Sequence, residues 1–204
     1  MCWNATTSIV SFIVGVLVSC FIAWKALSEG KRALAVLSLG WTWVVFMQLW
    51  EYFIWINPNN QTVSRYAYVF NVTQVLFLAL IYLTFFTQYK ENRAIAFVVV
   101  LLYMFYILYY SPPIEPTTVG CNGHLEYPWW KKIPMGGAIY LVSLILIFIL
   151  LIQPFYWSMY TLAYILLLFG LSYWLFKYSV ASMWCFFAVS VPMVSYMISL
   201  ITYE

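Results

Sequence analysis

Phe46-Met47-Gln48-Leu49-Trp50-Glu51-Tyr52-Phe53-Ile54-Trp55 sets one carboxylate, Glu51, inside an otherwise apolar and aromatic run, with Gln48 one helical turn before it. The apolar pattern extends back to Ala33 and forward to Ile56. At 1.5 Å per helical residue, such a segment crosses the roughly 30 Å hydrocarbon core of a bilayer. The remaining acids, Glu29, Glu91, Glu115, Glu126 and Glu204, fall in expected loops or at the end of the chain. An ionisable side chain in a bilayer costs several kcal/mol unless paired or hydrated, so Glu51 marks either function or a structural polar cluster.

The rest of the composition agrees with a membrane setting. Hydrophobic residues make up 66% of the 204 residues and charged residues 7%, with a mean hydropathy of +0.91. A soluble domain has too little polar surface at that composition. The apolar runs are about twenty residues long and lack period-two alternation, which selects helices over a barrel. The net charge of +3 is dispersed along the chain and points to no nucleic-acid partner. The first apolar run follows no basic segment and is long enough to remain a span, so no cleavable signal peptide is expected. With 11 Trp and 18 Tyr, the aromatics exceed what two interfacial belts take up. Some rings must pack between helices or line a cavity.

Taken in order, seven spans are expected, at about 8–27, 33–56, 67–87, 94–110, 136–153, 157–176 and 180–201, in one all-α transmembrane domain covering 1–204. Asn57-Pro58-Asn59-Asn60 ends the second. One long loop, 111–135, holds Cys121, His124, Trp129, Trp130, Lys131 and Lys132.

Loop charges set an orientation. Lys25, Lys31, Arg32, Lys90 and Arg93 would share one face, and Arg65, Lys131, Lys132 and Lys177 the other. The first set sits in very short loops, where the positive-inside rule applies best. The expected topology has the N-terminus outside and the C-terminus in the cytoplasm. Two glycosylation sequons, at Asn4 and Asn60, then lie outside; a third, at Asn71, lies within a span. Cys20 and Cys185 read as small packing residues inside spans. Cys2 and Cys121 share the outer face, where a disulfide between them is expected in an oxidising compartment.

The polar residues of the spans gather at one depth. Asn71 and Gln74 repeat the three-residue spacing of Gln48 and Glu51. All four fall within roughly 6 to 12 Å of the outer boundary by residue count. Ser8 and Ser11 of the first span fall near the same level, Trp50 flanks Glu51, and Lys177 ends the sixth span. The candidate ligand-binding set is Glu51, Gln48, Asn71, Gln74, Ser11, Trp50 and Lys177. Against it stands a plainer role as interhelical glue, since hydrogen bonds between membrane helices contribute about 0.6 kcal/mol each without any ligand. His124, a single histidine beside Glu126, makes a weak metal signal.

Several activities are excluded from expectation. A retinal protein needs a lysine in the middle of its last span, and intramembrane zinc hydrolases need several His and Asp ligands; the chain has one His and no Asp. No phosphate-binding loop, dinucleotide fingerprint or nucleophile elbow occurs. No catalytic residue, metal or cofactor is therefore expected.

Span two ends Leu49-Trp50-Glu51-Tyr52 and span six ends Leu175-Phe176-Lys177-Tyr178. That correspondence suits two parallel three-helix repeats joined by a linker helix, with a site at the repeat interface. The layout resembles that of sugar and amino-acid transporters of the SWEET and PQ-loop type, though their Pro-Gln signature is missing. The opening Met1-Cys2-Trp3-Asn4-Ala5-Thr6-Thr7-Ser8, with the Gln48/Glu51 span, resembles uncharacterised small multispan proteins of giant viruses and microbes. That resemblance implies a membrane location and a viral source, and nothing about substrate. The expectation is a small transporter or solute-binding protein with an outward-facing polar cavity centred on Glu51. Its partners would be the bilayer, a small polar solute or a proton or cation, and further copies of the chain in a homo-oligomer. The alternative is a non-transporting, receptor-like or structural (viral envelope) membrane protein. A dry, packed Glu51 would favour that alternative, and a hydrated one transport.

Overall fold

The computed structural model of the protein describes residues 4–85, 90–120, 123–177 and 179–202. Its helices are α1 (Ala5–Ser28), α2 (Arg32–Ile56), α3 (Gln61–Val72), α4 (Gln74–Phe85), α5 (Lys90–Tyr109), α6 (Pro128–Lys132), α7 (Gly136–Leu151), α8 (Phe155–Leu175), α9 (Val180–Ala188) and α10 (Val191–Thr202), with strands β1 (Thr118–Val119) and β2 (Leu125–Glu126) before α6. The Cys2–Cys121 pairing falls on residues outside those described.

Among the described residues, four helices, α1, α2, α5 and α8, are long and apolar enough to cross a membrane, and up to six spans result if each bent pair α3–α4 and α9–α10 counts as one. The apolar α7 has 16 residues, about 24 Å of helix at 1.5 Å per residue, which is short for a perpendicular crossing. Of the seven expected spans, the third and the seventh are each broken into two helices.

Each break has a local cause. In α3–α4, bent by 45°, the Thr73 hydroxyl donates to the Val69 carbonyl at 2.6 Å, a back-bond that bends helices. The Tyr103 hydroxyl donates to the Val72 carbonyl at 2.7 Å, holding the exposed backbone group in place. In α9–α10, bent by 50°, Pro192 has no N–H to offer the Ala188 carbonyl four residues earlier, and its ring crowds it. The Trp41 indole donates to that carbonyl instead, at 2.7 Å. Backbone freed by a break inside a membrane must be re-satisfied by side chains, and both breaks meet that need.

The centre of the bundle is α2. The apolar window of α2 is 61% buried, against 22% for α1 and for α5. It packs on α1, α3, α4, α9 and α10. Fully buried Trp41 meets Phe148 and Trp184 edge-on, with both centroids 6.4 Å away. A Cβ added at Gly15 would lie 2.7 Å from Val45 Cγ1, so only glycine lets α1 approach α2 this closely. At the α1–α2 turn Gly30 adopts φ +73. Its N–H bonds the Leu27 carbonyl at 3.1 Å and the Lys31 N–H bonds the Ala26 carbonyl at 2.8 Å, a Schellman stop. The same turn is tied to α10, because Glu29 accepts from the Tyr196 hydroxyl at 2.8 Å and pairs with Lys25 and Lys31.

The stretch 111–135, expected as an open loop, carries structure of its own. β1 and β2 pair antiparallel, with Thr118 opposite Glu126. The stretch is anchored to α3 by the Thr117 N–H on Ser64 Oγ at 2.8 Å and by Gln61 Nε2 on the Ile114 carbonyl at 3.0 Å. Asn4 and Asn60, the two sequon asparagines, serve as N-caps: Asn4 accepts from the Thr7 N–H at 2.8 Å, and Asn60 from the Thr62 and Val63 N–H groups. An asparagine followed two positions later by threonine thus also has the makings of a helix start.

Candidate functional site

The polar residues of α2, α3 and α4 do converge, and the 111–135 stretch supplies much of what holds them. Glu51 and Gln48 are both fully buried on α2. The Tyr127 hydroxyl donates a hydrogen bond to Glu51 Oε1. Asn71 lies one residue before the end of α3 and Gln74 begins α4, so the break at Thr73 sets both amides at the bend. Asn71 Oδ1 accepts from the indole N–H groups of Trp129, at 3.2 Å, and Trp130, at 2.5 Å. Gln74 Oε1 accepts from the Tyr140 hydroxyl at 2.7 Å. Both amide nitrogens face the Cys185 sulfur at 3.9 Å, and Trp184 Nε1 reaches the Tyr140 oxygen at 3.4 Å. Cys185 thus receives two amide donors, beyond the packing role expected of it.

Three aromatic donors come from one short stretch because α6 starts there. Pro128 occupies the first turn of α6, where a missing N–H costs nothing. Tyr127 and Trp129 stack with centroids 4.7 Å apart, and Trp130 meets Tyr140 edge-on at 5.8 Å.

Beside this network lies a cavity of about 360 Å³. Asn71 and Tyr127 form part of its wall, with Tyr140 of α7 and Trp184 of α9. The first turn of α9, from Ser179 to Ser182, and Lys177 just beyond α8 complete it. The opening carries two lysines. Lys131 is paired with Glu126; Lys177 is exposed and, among the described residues, has no ion-pair partner.

The seven candidate residues divide. Asn71 and Lys177 line the cavity. Glu51 and Gln74 stand behind its wall, each holding the hydroxyl of a lining tyrosine, Tyr127 and Tyr140. The cavity is therefore not centred on Glu51, and Glu51 is bonded to Tyr127 rather than paired with Lys177. Gln48 is buried within the bundle. Trp50 stacks on Tyr66 at 5.2 Å, away from the cavity. Ser11 lines a separate groove between α1 and the α9–α10 break. The sequence reading missed Tyr127, Trp130, Tyr140, Trp184 and Ser182. The aromatic surplus announced rings of this kind without saying which.

His124 sits in the β1–β2 turn, edge-on to Phe176 at 5.4 Å. Partial burial pushes its pKa below the usual histidine value. Among the described residues no group of three or more His, Cys, Asp or Glu gathers as a metal site would require.

Comparison of the chain with protein families, with curated proteins and with solved structures finds no match.

Proposed function

We propose that this chain is a small integral membrane protein that binds a solute in the cavity between α3, α7, α8 and α9 and carries it across the bilayer. The observation that carries this reading is the cavity itself. Its volume of about 360 Å³ lies within the range of small-molecule sites, and its apolar walls hold a few convergent polar groups, as such sites do. Its walls come from both halves of the chain, where a transporter of repeated helical triplets keeps its substrate.

Seven crossings are part of the proposal, with α3–α4 and α9–α10 as single broken spans and α7 as a short one. On that count α5 is the linker, and the third span of each triplet is the broken one, which favours the 3+1+3 arrangement. The positive-inside pattern then turns the cavity outward, with the N-terminus outside and the C-terminus cytoplasmic.

One observation favours the structural alternative for a single residue. Glu51 is fully buried and hydrogen-bonded to Tyr127, so it serves this reading as a support of the Tyr127 wall rather than as a titrating gate.

The test fills the cavity. A Cβ placed on Gly137, a lining residue, meets no atom of the described residues within 4 Å, so Gly137→Phe adds a ring there without a clash against their backbone. Parent and variant are purified into phosphatidylcholine nanodiscs and screened by thermal shift against small organic solutes of either charge. Solutes that stabilise the parent and not the variant are then followed into proteoliposomes by counterflow. A screen in which no solute separates parent from variant overturns the solute-binding reading.

A further inference from the structure

We infer that the cavity takes a monovalent oxyanion carried on an apolar body: a carboxylate or phosphate head seated on the first turn of α9 and Lys177, with its hydrocarbon or ring among the aromatic walls. This names the solute class for the cavity and rests on the solute-binding reading above.

Three observations meet at one wall. The first turn of α9, Ser179, Val180, Ala181 and Ser182, faces the cavity. The first N–H groups of a helix have no intrahelical acceptor; in α9 the Met183 N–H is the one that reaches back to the Ser179 carbonyl, at 3.0 Å. The partial positive charge of a helix start therefore faces the cavity, an arrangement suited to anions.

The second observation is Ser182. It is 1% exposed, lines the cavity, and its hydroxyl has no hydrogen-bond partner among the described residues. A buried hydroxyl left unbonded is costly, and an acceptor oxygen arriving in the cavity removes that cost. The third is charge. Glu126 neutralises Lys131, which leaves Lys177 as the uncompensated charge at the opening among the described residues. One surplus positive charge and a row of donors call for one negative charge. They disfavour the proton or metal cation that Glu51 alone had suggested.

The rest of the wall describes the body of the ligand. Trp130, Tyr140, Phe169, Tyr173 and Trp184 surround the space, with Phe169 and Trp184 edge-on at 5.8 Å. Rings in such a setting hold an apolar or aromatic group and offer little to an inorganic ion. The same head could belong to a free amphipathic acid or to a lipid.

Three probes with one body and different heads decide the matter: 3-phenylpropionate, 3-phenylpropan-1-ol and 3-phenylpropylamine, each tritiated. Binding is measured by scintillation proximity on the full chain in phosphatidylcholine nanodiscs, with Gly137→Phe as the filled control. The carboxylate is expected to bind at least about tenfold more tightly than the alcohol or the amine. Lys177→Gln, an exposed position that folding tolerates, should remove most of that preference, and Ser182→Ala should weaken the carboxylate by roughly threefold to tenfold. If the amine or the alcohol binds as well as the carboxylate and Gly137→Phe blocks all three, solute binding stands and the anion assignment falls. The same holds if Lys177→Gln leaves the preference intact. If no probe binds, or the filled variant binds them unchanged, the solute-binding reading fails and takes this inference with it. Nanodiscs containing phosphatidic acid separate the two sources: loss of 3-phenylpropionate binding there assigns the head to a lipid, and unchanged binding assigns it to a free acid.

Discussion

At the scale of single residues, Glu51 gains its meaning from Tyr127. A fully buried carboxylate is tolerated where a donor meets it, and that donor comes from a residue 76 positions away. Tyr127→Phe leaves the carboxylate without that bond and should cost about 1–3 kcal/mol. Glu51→Gln keeps an acceptor oxygen for Tyr127 and should cost about 1 kcal/mol or less. Glu51→Ala adds a void to an unmet hydroxyl and should cost about 2–4 kcal/mol. Denaturant unfolding in detergent, followed by tryptophan fluorescence, gives the ranking. A Tyr127→Phe protein as stable as the parent would remove the pairing from the account. Gln48, Glu51, Asn71 and Gln74 were visible in the sequence because i, i+3 spacing and depth are periodic properties. Their partners were not. A contact between α2 and the stretch before α6 leaves no period to read, so Tyr127 looked like any aromatic in a loop.

At the scale of elements, the breaks matter more than the helices. Reading residues 180–201 as one span overlooked Pro192, whose missing N–H is a direct sequence signal for a break. The bend at Thr73 has no such mark; it rests on a threonine back-bond and on Tyr103 from another helix. The α9–α10 break supports a double-mutant test. Trp41→Phe strips the Ala188 carbonyl of its donor and should cost about 1–3 kcal/mol. In a Pro192→Ala background the restored N–H can bond that carbonyl, so Trp41→Phe should cost less by about 1 kcal/mol. Equal costs in both backgrounds would mean that the indole does not substitute for the backbone there.

At the scale of the whole molecule, the membrane class was legible from composition alone, because no arrangement of 7% charged residues covers a soluble surface. The short α7 and the structured 111–135 stretch were not, since both depend on how the other helices close around them. Seven crossings require the two ends of the chain to lie on opposite sides. Cysteine-accessibility labelling of tags at both ends, in intact cells and inverted vesicles, should find the N-terminal tag outside and the C-terminal tag inside; both tags on one side would exclude an odd number of spans. The chain's first turn and last helix are also joined. The Tyr196 hydroxyl, then Lys31 and Lys25, hold the Glu29 carboxyl at a pKa of about 2, down from 4.5. With the folded pKa lowered, the link is at full strength above pH 4.5 and is lost as pH falls towards 2. Hydrogen exchange in α10 should accelerate between pH 5 and pH 3 relative to intrinsic rates, by roughly threefold or less for so exposed a group, and Glu29→Gln should flatten that dependence.

The Trp41 bond to the Ala188 carbonyl also constrains how this sequence can drift. In the standard genetic code tryptophan has one codon, and every single-base change of it yields Arg, Gly, Ser, Leu, Cys or a stop. None of these places an aromatic N–H at the same reach. A lineage that loses Trp41 first must pass through a state with a bare carbonyl in the middle of the bundle. A lineage that first replaces Pro192 regains a backbone donor and can then let Trp41 go. The order of those two substitutions is therefore set by the break itself, and a descendant that has kept Pro192 should have kept Trp41 with it.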